Sequence, residues 1–226
     1  MAVAVFGSAA ALLVWHPKTP LPKAWNPIHP LDITAPLTAL TGWKLNRTAA
    51  DAALCVAALE REQIVSLSPL LSENPRCGIK ARVRVSGVGA AVLDPVDTSC
   101  AVALRLAMWE RHGLQPAAQA AFGTSIARIE HQSSYVCREI RTPDGSGGRM
   151  STHATGEAID VKGFVLKDGR RVSLLADWVG NDAEATFLRR ARDTSCTWFA
   201  TTLGPEYNAL HAAHFHLQSR GWGLCR

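Results

Sequence analysis

The chain has 226 residues, 47% of them apolar, and a formal net charge of +5. That length allows one good-sized domain with a buried core, and the charge predicts mild attraction to anionic surfaces such as wall polymers or lipid head groups. No dense Lys/Arg run interleaved with aromatics occurs, which argues against a nucleic-acid partner.

Six cysteines, Cys55, Cys77, Cys100, Cys137, Cys196 and Cys225, are dispersed without a C-x-x-C pair. This suits disulfides in an oxidising compartment better than a metal or redox site, and it leaves their pairing open.

In chain order, Ala2 to Trp15 is an apolar run, short of the roughly 20 residues that span a bilayer. Residues 1–15 read as an uncleaved signal or membrane anchor, although no Lys or Arg precedes the run and no A-x-A site follows it. Residues 16–42 hold Pro17, Pro20, Pro22, Pro27, Pro30 and Pro36, a composition that predicts an extended spacer. Residues 43–226 then form the main domain.

Thr48 is the expected cap of an alanine-rich helix reaching about Gln63. Cys77 to Val92 alternates as one or two short strands. Thr98 should cap a second helix that stops at Gly113, with a short helix from Pro116 to Gly123 after it. Ser125 to Glu130 and Tyr135 to Ile140 read as a strand pair, and Thr142 to Gly148 as a mobile loop. A hairpin is expected around Lys167-Asp168-Gly169-Arg170. Asp182 and Thr194 should each cap a helix, the second ending at Gly204-Pro205. The fold class is α+β, a small antiparallel sheet flanked by helices.

Two stretches carry the chemistry: Ser151-Thr152-His153-Ala154-Thr155-Gly156-Glu157-Ala158-Ile159-Asp160, and His211-Ala212-Ala213-His214-Phe215-His216-Leu217. Ile159-Asp160-Val161 and His214 to Leu217 alternate as strands, with Asp160 on one side of the first and His214, His216 and Gln218 sharing one face of the second. Gly156 would let the chain turn from a loop His into a strand Asp. His153, Asp160 and a further His make the three-ligand set of a catalytic zinc site with its fourth position open.

The S-x-H-x-x-G-x-A-x-D motif with a C-terminal H-x-H resembles the zinc peptidase group of lysostaphin-type enzymes, D-alanyl-D-alanine peptidases and the hedgehog signalling domain. More narrowly, Tyr135-Val136-Cys137-Arg138, Ser151 to Asp160, Gly163-Phe164, Asp168-Gly169, Leu203-Gly204-Pro205 and His211 to His216 resemble the bacterial extensin-like C-terminal domain family, over roughly Leu45 to Arg226. The resemblance implies Zn2+ held by His153, Asp160 and His216, with His214 serving the activated water. It also implies a peptidase acting on peptidoglycan or another peptide at the cell envelope, of D,D-carboxypeptidase or endopeptidase type.

A competing register has His214 as ligand and His211 as base, with Glu206 further off. Arg138 and Arg149 are candidates to orient a substrate carboxylate or an oxyanion, and Ser151 to bind substrate or cap the loop; ordinary structural roles compete for each. Trp178, Phe187 and Trp198 read as core. Gln218 stands where relatives carry Asp, so a supporting role for that position is open. The alternative function is a catalytically silent, zinc-stabilised wall-binding or structural protein, and an amidase or esterase is a third reading.

Overall fold

The computed structural model describes residues 11–226, apart from Pro17, Pro20, Arg61 and residues 143–144; of Thr142, Ser146 and Gly147 it describes the backbone alone. Most of the expected anchor therefore lies outside the described residues. The chain divides into two compact units, Met1–Ala58 and Leu59–Arg226.

In the first unit the proline-rich segment is folded into turns rather than extended. A 3-10 turn, Lys23–Trp25, is tied to helix α1 (Thr41–Ala50) by Lys44 Nζ, which donates to the Lys23 carbonyl at 2.8 Å. Thr48 lies inside α1 instead of capping it. The break falls at Asp51, whose carboxylate accepts from the Ala53 and Leu54 N–H groups and starts α2 (Ala52–Ala58). A carboxylate that accepts from two otherwise unpaired amides makes the stronger cap, while Thr48 is buried within α1. Among the described residues no helix is long and apolar enough to cross a membrane.

The second unit opens with β1 (Gln63–Ser66), the short pair β2 (Leu70–Leu71) and β3 (Gly78–Ile79), then β4 (Arg82–Val88) and β5 (Ala91–Ser99). Val83 and Val85 are buried while Arg84 faces solvent, the alternation expected of a half-buried strand. Ser99, not Thr98, caps α3 (Cys100–Trp109), its hydroxyl accepting from the Val102 N–H. Thr98 donates to the Gly156 carbonyl instead.

The helix does not stop at Gly113. It passes through a π turn, Glu110–Leu114, into α4 (Gln115–Phe122), which ends at left-handed Gly123 as expected. A Cβ on Gly113 would sit 2.8 Å from Thr194 Oγ1 and from Trp109 Cδ1, so this glycine serves close packing rather than chain reversal.

The strands β6 (Ile126–His131), β7 (Glu139–Thr142), β8 (Gly145–Met150), β9 (Ala158–Leu166) and β10 (Arg171–Ser173) follow. β9 and β10 form the expected hairpin, turning at Gly169 with φ +88°. Tyr135 to Ile140 is not a partner for β6. Residues 132–138 are irregular, and β7 pairs with β8 in a separate hairpin that includes much of the expected loop.

A short α5 (Leu174–Asp177) precedes α6 (Ala183–Trp198), which Asp182 caps through the Ala185 N–H. α6 runs straight through Thr194, whose hydroxyl back-bonds to the Ala191 carbonyl. The chain then enters β11 (Thr201–Leu203), β12 (Phe215–Gln218) and β13 (Leu224–Cys225) where a helix was expected.

The sheet is larger than anticipated, with nine strands ordered β1-β4-β5-β6-β9-β12-β11-β13 and β10 on β9. It is mostly antiparallel, but β5 with β6 and β11 with β13 run parallel. Trp109, Phe164, Phe187 and Phe215 are fully buried, and Trp109 meets Phe164 and Phe199 edge-on at 6.0 and 6.1 Å. Each such ring contributes about 1.5–3 kcal/mol by burial. Cys77 pairs with Cys137 and Cys196 with Cys225; Cys55 and Cys100 are also disulfide-bonded, and no cysteine is free.

Candidate metal centre

Strand register builds the centre. β12 pairs antiparallel with β9 so that His216 lies directly opposite Asp160. Directly opposed residues share a face, so both polar side chains emerge together while Phe215 and Leu217 are fully buried.

His153 arrives from a 3-10 turn, Thr152–Thr155, capped by Ser151, whose hydroxyl accepts from the His153 N–H. Gly156 ends the turn at φ +64°, and a Cβ there would press on Ile79 at 2.9 Å. Both facts call for glycine between the loop histidine and the strand aspartate.

The irregular segment 132–138 locks this corner. The Gln132 N–H donates to the Asp160 carbonyl, and the Ser133 carbonyl accepts from the Asp160 N–H. Val136 N–H donates to the His153 carbonyl, and Ser151 N–H to the Arg138 carbonyl. His153 Nδ1 donates to the Ser134 carbonyl at 2.8 Å, which fixes the ring and turns Nε2 toward the cluster, where a metal would take its lone pair.

That lone pair meets two others. His153 Nε2 lies 3.0 Å from His216 Nδ1 and 3.2 Å from Asp160 Oδ1, and His216 Nδ1 lies 2.8 Å from Asp160 Oδ1. A tetrahedral cation with bonds of about 2.0–2.1 Å spaces its ligand atoms roughly 3.3 Å apart. Three acceptor atoms at nearly this spacing share at most the single proton of His216 Nδ1, a shortage that a cation resolves. The donor set of two imidazoles and one carboxylate fits a zinc-type ion.

All three residues are buried, with relative exposures of 1% for His153, 7% for Asp160 and 9% for His216. Burial acts to raise the Asp160 carboxyl, but hydrogen bonds and charge from His153 and His216 outweigh it and hold the group well below the usual carboxylate range.

His214 stands just ahead of β12, its Nε2 3.7 Å from Asp160 Oδ1. His211 packs against His214 and His216 with ring centroids 5.2 and 5.7 Å away, and its Nδ1 donates to Asn208 Oδ1 at 2.7 Å. Burial, reinforced by the neighbouring His216 and His214, lowers His211 to about 4. Burial also lowers His214, against the pull of Asp160. Both imidazoles are therefore neutral at pH 7. Glu206 is turned away in a salt bridge with Arg192.

Asp160, His211, His214 and His216 line a cleft of about 660 Å³. Ser151, Arg138 and Arg149 line it too, Arg138 half-buried and Arg149 exposed. Arg141, Tyr207 and Asn208 also face it and were not picked out from sequence. Recognising β7 as a strand would have been the needed signal, since Arg141 reaches the cleft from that hairpin. Trp198 and Phe187 are core residues, and Trp178 packs edge-on against Phe215. Gln218 lines the cleft without joining the ligand cluster.

The family model described as extensin-like protein C-terminus matches residues 53–226, which include every residue of this centre. Comparison with curated proteins and with solved structures found no match. On the extent of the family match, the chain belongs to the extensin-like protein C-terminus family.

Proposed function

We propose that the chain is a zinc-dependent peptidase acting on peptidoglycan peptides in the cell envelope, of D,D-carboxypeptidase or endopeptidase type. The observation that carries this reading is the convergence of His153 Nε2, His216 Nδ1 and Asp160 Oδ1, with Asp160 and His216 lining a cleft. The likeness of the Ser151–Asp160 and His214–His216 motifs to the lysostaphin and D-alanyl-D-alanine peptidase group supports hydrolysis. Fully oxidised cysteines support an oxidising, periplasmic setting, with the N-terminal segment as membrane anchor.

Zinc bound by His153, Asp160 and His216 would supply Lewis acidity, acidifying a water and polarising a scissile carbonyl near neutral pH. His214, neutral at pH 7, has its Nε2 3.7 Å from Asp160 Oδ1 and would be placed to take up a proton there. Lowered to about 4, His211 is the weaker base, which favours His214 for that role over the competing register. Arg138 lies within electrostatic reach of Asp160 and His214 and can stabilise the developing oxyanion. Arg149 and Ser151 orient the chain of the substrate.

The depressed basicity of His211 and His214 also favours a second reading, a zinc-stabilised wall-binding protein without turnover. Zinc-loaded protein incubated with purified wall peptides separates the two. The peptidase reading expects new peptide termini, and His214→Gln to slow their release by about 10²–10⁴-fold with zinc retained. Absence of new termini from zinc-loaded, folded wild type would leave the silent reading standing.

A further inference from the structure

The cleft holds a surplus of positive charge. Arg138, Arg141 and Arg149 line it, and Asp160 is the single carboxylate lining it among the described residues. Asp160 is already committed to His153 and His216. No carboxylate pairs with any of the three arginines among the described residues; Arg138 Nη1 donates to the backbone carbonyl of Glu139 at 3.1 Å.

Arg138 is also pushed down, by burial first and then by the like charge of Arg141, against a pull from Asp160, so the Arg138 and Arg141 guanidinium groups are close enough to repel. A concave site that gathers guanidinium groups with few carboxylates among the described residues focuses a positive potential there. A divalent ion on the three ligands would add to it.

The placement of the arginines sorts their roles. Arg138 sits at the root of the hairpin, directly beside the segment that locks His153 and Asp160. Arg141 is on β7 toward the turn, opposite Ser146, and Arg149 is on β8 next to Met150, which pairs with Glu139 near the root; both are solvent-exposed. Planar guanidinium forks recognise carboxylates in bidentate fashion, and one carboxylate saturates one fork.

We propose that the β7–β8 hairpin selects peptides carrying two carboxylates on the side of the scissile bond that faces it, one for Arg141 and one for Arg149. This inference rests on the cleft being a peptide site and narrows its substrates to doubly anionic ones: a free C-terminal carboxylate together with a side-chain or second backbone carboxylate. Neutral or amidated termini are poor ligands.

The test uses three fluorescent peptides of one sequence, differing in charge alone: free terminus with Glu, amidated terminus with Glu, and amidated terminus with Gln. Their Kd values are read by anisotropy on zinc-loaded wild type and on Arg141→Gln/Arg149→Gln, with zinc content measured in each sample. Wild type should weaken on the order of tenfold for each carboxylate removed, and the double variant should compress the series to within about threefold. Equal binding of the three peptides by wild type, or an undiminished series in the double variant, overturns the proposal. So does inorganic phosphate that displaces the dianionic peptide as well as a free dicarboxylate does, since the site would then read charge without peptide. Graded binding with no cleavage removes the peptidase reading and keeps this one; cleavage with ungraded binding does the reverse.

Discussion

The corner where β9 meets β12 and the β7–β8 hairpin stand on two sides of one cleft, and they are built by opposite means. At the corner, sheet register fixes Asp160 and His216, and the Asp160 N–H and carbonyl are both bonded to the neighbouring segment 132–133. The hairpin is made of two paired strands outside the main sheet, with Gly145 and Gly148 at positive φ, and Cys77–Cys137 ties its root to the body. The two regions divide the labour of the cleft. Ligand positions must hold to within a fraction of an ångström and belong on a sheet, whereas a substrate-sorting surface tolerates and profits from adjustable side chains.

Breaking the corner should have the largest effect. Asp160→Asn removes the one anionic ligand and should weaken zinc binding by roughly two orders of magnitude or more, read by competition with a chromogenic chelator. Zinc bound as tightly as in wild type would mean that the carboxylate is structural.

Loosening the join between the two regions comes next. Cys77→Ser/Cys137→Ser opens a closed loop with a sequence separation of 60, worth about 4 kcal/mol in the chain-entropy account and read by urea unfolding. Because the segment beside Cys137 holds His153 through the Ser134 and Val136 backbone, zinc affinity should also fall about tenfold. If stability drops and zinc affinity does not, the hairpin root and the corner are independent.

The smallest effect sharpens the electrostatics. His211 is lowered to about 4 by burial and by its imidazole neighbours, so between pH 6.5 and 4 the unfolded chain binds a proton that the folded chain refuses. Stability of the metal-free protein should therefore fall as pH drops through that window. His211→Asn should flatten that part of the profile, measured as Tm against pH; an unchanged slope would place the titration elsewhere.

Much of the corner was legible in the sequence because strand alternation constrains side-chain direction. Parity put Asp160 and His216 on polar faces, and Gly156 marked the turn between loop and strand. The register that set the two residues opposite each other came from pairing across 56 positions, which local pattern does not encode. Helix boundaries were misread where one cap residue stood beside a better one, as with Thr48 against Asp51 and Thr98 against Ser99. Gly113 misled in a different way: it reads as a stop signal, yet it is there because Trp109 and Thr194 leave no room for a side chain. The hairpin was the least legible part. Its glycine-rich strand β8 has no apolar alternation, so no local pattern marks a hairpin that would carry Arg141 on β7 into the cleft.

The central claim is that His153, Asp160 and His216 form one metal site with His214 beside it and outside the ligand set. The most direct test is zinc per chain, by elemental analysis, in wild type, His216→Ala and His214→Ala after folding with zinc supplied. The expected contents are one zinc, essentially none, and one. Zinc missing from wild type, or kept by His216→Ala and lost by His214→Ala, would contradict it.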